Sequence, residues 1–68
     1  MLIDDIESAI RKNPGLTATQ LSTGLFGVEG YGERVNGACR MLLRRQRIER
    51  HGAGGPGHPF KYYPASIA

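Results

Sequence analysis

The apolar positions of this chain fall into three helical stretches and then a short alternating one. Leu2, Ile3, Ile6, Ala9 and Ile10 recur every three or four residues, with Asp4, Asp5, Glu7 and Ser8 off that stripe, which predicts an amphipathic first helix. Its acids lie in the first turns and Arg11-Lys12 in the last, the arrangement the helix dipole favours. Asn13-Pro14-Gly15 then stops it. Thr17-Ala18-Thr19-Gln20 has the form of a capping box, with Thr17 as N-cap and Gln20 able to bond back to its amide. The second helix must be short, because Gly24 and Gly27 arrive quickly. Leu21, Leu25 and Phe26 are expected to face the core, and Val28-Glu29-Gly30 reads as a turn.

The helical period returns at about Tyr31 and runs to Arg47. At about 100° per residue, Tyr31, Val35, Ala38, Cys39, Leu42 and Leu43 share one arc. Glu33, Asn36, Gly37, Arg40, Arg44 and Arg47 share the opposite one, so the third helix should bury the first set and expose a polar, arginine-rich stripe. Gly32 and Gly37 cost it about 1 kcal/mol each relative to alanine, so its first half depends on tertiary support. Ile48-Glu49-Arg50-His51 then alternates as a strand does. Gly52 to His58 is a glycine-rich loop without apolar anchors, expected to be mobile. Pro59 to Pro64 forms an aromatic second strand that closes a β-hairpin. Phe60 and Tyr62 share one face of it, expected to be core, and Lys61 and Tyr63 the other. The expected organisation is one α+β domain over residues 1–64 with a frayed tail at 65–68.

Size and composition narrow the function classes. Sixty-eight residues allow one small domain, and 40% hydrophobic with 22% charged residues is ordinary globular usage. A single cysteine, Cys39, excludes an internally disulfide-stapled scaffold. No run reaches the ~18 apolar residues of a membrane span, and the early acids Asp4 and Asp5 fit neither a signal nor a transit peptide. The expected setting is reducing and cytoplasmic, on the nucleoid in a bacterium, with no membrane partner. A chain this short struggles to frame a deep pocket, and no nucleophile has a recognisable base and orienting partner. An enzyme is therefore not expected.

The charge distribution says more than its total of +3. Residues 1–33 carry two cations against five acids, whereas residues 34–68 carry seven cations against Glu49 alone. Six of those seven are arginine, whose planar fork suits phosphates and base edges, so the basic half points to a polyanion. Asn36, Arg40, Arg44 and Arg47 on the exposed stripe can offer an amide to adenine and forks to guanine or phosphate. Gly37 between them allows close backbone approach. Arg34 and Arg45 flank the stripe and suit the phosphate rims, and Arg50 and Lys61 bracket the hairpin loop.

Two other motifs carry less. Gly52, Gly54 and Gly57 spell the dinucleotide fingerprint, but Pro56 and Pro59 bracket it and a strand follows where a helix is required. Cys39, His51 and His58 lack the paired spacing of a zinc site, and Cys39 falls on the buried arc. No metal or cofactor is expected.

The order of helix, turn, short helix, turn, basic helix and hairpin resembles the winged helix-turn-helix family over roughly Leu2 to Tyr63. Gly15 to Leu21 entering the second helix and Arg45 to Arg50 leaving the third are its most telling stretches. The resemblance implies a three-helix domain with a C-terminal two-stranded β-hairpin wing. It also implies that Leu16 pairs with the hairpin, that the third helix enters the major groove, and that the wing touches backbone or minor groove. Double-stranded DNA is then the expected partner and transcriptional regulation the expected setting. The alternatives are a winged-helix module that docks an acidic protein and binds no DNA, and a folded module of a larger assembly with no binding of its own; a monomer or a weak homodimer is compatible with the DNA-binding expectation. Asn36 with a proline-containing wing also resembles the left-handed-DNA-binding subgroup. That subgroup carries a tyrosine one turn beyond the asparagine, where this chain has Arg40.

Overall fold

The first apolar stripe forms α1 (Leu2–Lys12) in the computed structural model, which describes residues 2–27, 29–55 and 57–65. Ile6 and Ile10 are its fully buried positions. The capping box is made as expected: the Gln20 amide donates to Thr17 Oγ1 at 3.2 Å and the Thr17 amide donates to Gln20 Oε1 at 2.9 Å. It opens α2 (Ala18–Phe26), which ends on Gly27 in the left-handed conformation, the Gly27 amide bonding the Thr23 carbonyl at 2.8 Å. A 3₁₀ turn, Glu29–Tyr31, leads into α3 (Gly32–Arg44). Strands β1 (Ile48–His51) and β2 (Lys61–Pro64) pair antiparallel, with Arg50 opposite Tyr62 and His51 opposite Lys61. Three helices followed by a two-stranded antiparallel sheet make an α+β layout compatible with a winged helix that ends in a hairpin.

All five of these elements contribute to one core: Ile6, Ile10, Leu21, Val35, Ala38, Cys39, Leu42, Ile48 and Tyr62. The α1–α2 connection ties the hairpin to the helices. The Gly15 amide donates to the Tyr62 carbonyl at 2.8 Å, and the Tyr62 amide donates to the Leu16 carbonyl at 2.9 Å. Leu16 thus lies against β2 as the resemblance implied. At the other end of β2 the Ala65 amide bonds the Arg47 carbonyl at 3.1 Å; residues 66–68 lie outside the described residues.

Four expectations need correction. The third helix ends at Arg44, not Arg47, because Gln46 turns left-handed at φ 59°. The Gln46 amide bonds the Leu43 carbonyl and the Arg47 amide bonds the Leu42 carbonyl, the pairing of a Schellman termination. Tyr31 precedes the helix as its N-cap and is 39% exposed instead of buried. Phe26 is also exposed and stacks on Tyr31 with ring centroids 4.6 Å apart, so the two rings shield each other outside the core. The second strand begins at Lys61, because Pro59 and Phe60 are given over to closing the loop.

The loop carries backbone hydrogen bonds of its own. The Gly54 amide donates to the His58 carbonyl and the His58 amide to the Gly55 carbonyl, a small bridge inside the tip. Gly54 sits at φ +79°, where a side chain would be strained and would run into the Phe60 ring. Phe60 is the apolar anchor that glycine content alone conceals.

Candidate nucleic-acid interface

The exposed stripe of α3 and the inner face of the hairpin meet across a groove of about 590 Å³. Asn36 and Arg40 line it from α3, Arg50 and Tyr62 from the sheet, Gly54, Gly55, Pro59 and Phe60 from the loop, and Thr17, Ala18 and Thr19 from the start of α2. The helix places Asn36 and Arg40 one turn apart on one side. The antiparallel register places Arg50 beside Tyr62, on the face that also carries Ile48. No carboxylate lines the groove, and among the described residues neither Arg40 nor Arg50 has an acidic partner within ion-pair distance.

Arg50 is held by other means. Its guanidinium carbon lies 4.2 Å from the centroid of the Phe60 ring, well within cation–π range. Burial, with the neighbouring Cys39 thiol, holds the Tyr62 hydroxyl above its ordinary value, and the positive charge of Arg50 opposes this shift. Beneath the groove Cys39 is fully buried, and burial pushes its thiol up to about 11, the state of an inert core residue.

The remaining candidates spread around this centre. Gly37 lies on α3 with open space beside it. Arg44 in the last turn and Arg45 at the cap are exposed. Arg34 sits on the first turn with its guanidinium 5.8 Å from the Tyr31 ring. Lys61 lies on the opposite face of the hairpin from Arg50, beside its register partner His51 and near His58. The hairpin therefore presents a cation on each side.

Arg47 leaves the set. With the helix stopped at Arg44 it no longer lies on the α3 stripe; its Nη2 donates to Glu7 Oε2 at 2.7 Å and its Nε to Oε1 at 3.3 Å. Arg11 shares the same carboxylate at 3.0 Å. The Arg47 guanidinium, with Arg11, holds the Glu7 carboxyl below its ordinary value. Arg47 thus fastens the α3–β1 corner to α1.

Three groove residues were not legible as such. Thr17 read as an N-cap and Thr19 as the interior of the capping box, because nothing local says that the start of α2 borders α3 and the hairpin. Phe60 read as core, and it does pack half-buried against the core, but it also carries Arg50 on its face. The signal lies in the hairpin register: once Arg50 is set opposite Tyr62, Phe60 becomes its diagonal neighbour. No family model, curated protein or solved structure matches the chain.

Proposed function

We propose that this chain is a winged helix-turn-helix domain that binds double-stranded DNA, in the setting of transcriptional regulation. The observation that carries the reading is the convergence of Asn36, Arg40 and Arg50, from two different elements, on one groove without a carboxylate. In this reading α3 enters the major groove, where Asn36 meets a base edge and Arg40, Arg44 and Arg45 meet phosphates. The wing runs along the backbone with Arg50 inward and Lys61 outward.

Titration of a duplex at several salt concentrations tests it. Each neutralised phosphate contributes about −0.9 to the slope of log affinity against log salt, so four or five contacts give a slope near −4. Absence of duplex binding even at low salt removes the reading.

A further inference from the structure

The groove is better furnished than an array of solvated cations would require. Arginine side chains have many rotamers, and ordering one on binding opposes association. Arg50 already has a partner in the free protein: its guanidinium carbon lies 4.2 Å from the centroid of the Phe60 ring. Phe60 is in turn fixed from behind by Gly54, whose left-handed backbone packs against the ring where no side chain would fit. Across the groove Arg40 rises from a different element, and Asn36 stands one turn before it. Two guanidiniums lining one cavity without a carboxylate repel each other, so the free protein holds an arrangement that an anion relieves.

The anion must also reach the floor of the groove. On the wing side Gly54 and Gly55 add no side chains beside Pro59 and Phe60, which leaves room there for an extended strand. The amide of Asn36 and the hydroxyls of Thr17 and Thr19 supply neutral donors around the two charges. These requirements fit a phosphodiester on a sugar–phosphate chain.

Resting on the DNA-binding reading above, we infer that Arg40 and Arg50 bracket a single backbone phosphate of the duplex in this groove, and that Phe60 is the positioning residue that aims Arg50 at it. Arg50 then acts through the direction of its fork as well as through its charge. The wing contributes by its base, where the cation is anchored, and the glycine tip serves to hold the anchor.

The test separates charge from direction. Arg50→Lys keeps the charge but loses the fork and most of the stack; Phe60→Leu keeps an apolar filler but removes the aromatic face. Each should weaken duplex binding about tenfold, as expected for a lost charge-assisted, oriented contact. The double variant should be no weaker than either single one, because both act on the same guanidinium. Phe60→Tyr should restore wild-type affinity. Replacing duplex phosphates one at a time by uncharged methylphosphonates should reveal one position that weakens the wild type clearly more than it weakens Arg50→Lys, in which Arg40 alone still holds that phosphate in full. Thermal unfolding of each variant confirms that the fold is retained. Wild-type affinity in Arg50→Lys, or independent losses in the double variant, would overturn the clamp while leaving DNA binding intact. Failure of the wild type to bind any duplex would overturn both.

Discussion

Gly37 lies on the face of α3 that the DNA-binding reading turns toward the duplex, and it can be made to separate stability from recognition. Its backbone is ordinary helix, and an added Cβ would meet nothing within 4 Å; the same holds for Gly24 in α2, which borders α1 away from the groove. Alanine is favoured over glycine in a helix interior by about 0.8–1.0 kcal/mol. At about 2.1 cal/mol/K per residue, 68 residues have an unfolding entropy of about 0.14 kcal/mol/K. Gly37→Ala and Gly24→Ala should therefore each raise Tm by about 6 °C, read by far-UV circular dichroism. Their effects on DNA should differ. A methyl forced into a close-packed contact costs about 1–3 kcal/mol, at least about fivefold in affinity, so Gly37→Ala should bind duplex more weakly than wild type and Gly24→Ala should match it. A lowered Tm for Gly37→Ala would contradict the open helical site. Equal affinities for the two variants would show that no backbone of the DNA comes close to α3 at this point.

Three further outcomes follow from the fold. Leu42→Ala should cost about 2–5 kcal/mol by opening a core cavity, while Arg40→Ala should leave Tm nearly unchanged and weaken duplex binding; unfolding of Arg40→Ala would invert the assignment of helix faces. Gln46→Gly should raise stability by about 1 kcal/mol, since glycine carries no penalty in the left-handed conformation that Gln46 adopts; a lower Tm would contradict the Schellman ending. Arg47 and Arg11 hold the Glu7 carboxyl below its ordinary value of 4.5. A lowered folded pKa gives stability that is full above pH 4.5 and is lost as pH falls through the folded value. The wild type should then lose Tm on acidification more steeply than Glu7→Gln, and parallel curves would refute the pairing.

How far the sequence could be read depended on whether each signal was local. The first helix and the capping box depend on neighbours three or four residues apart, and both stand where the sequence placed them, while the hairpin forms with its second strand starting two residues later than expected. The end of α3 was misplaced because its terminating residue is glutamine, whose side chain gives no hint of a left-handed backbone. That one error carried Arg47 onto the recognition stripe, when its true partner is forty residues away on α1. Tyr31 and Phe26 were misplaced for the opposite reason: the helical period counts a large ring as core, but two rings at a turn can cover each other. The groove was half legible. Asn36, Arg40 and Arg50 could be named from residue type, but their meeting depends on how the wing folds back over α3.

The tethering of the hairpin decides how these pieces can work together. Tyr62 is bonded through its backbone to both Gly15 and Leu16, and its side chain is buried in the core beside Cys39. The strand that faces Arg50 is therefore anchored to the α1–α2 connection and to α3 at once. Arg50 and Arg40 consequently sit on elements joined by backbone hydrogen bonds and one shared core. A wing of this kind brings little ordering cost to binding. Changes in affinity among wing variants should then track the loss of particular contacts. On the DNA-binding reading, a groove held in this way accepts a strand whose phosphate fits between Arg40 and Arg50, and Phe60, the ring under the glycine tip, keeps Arg50 aimed at it.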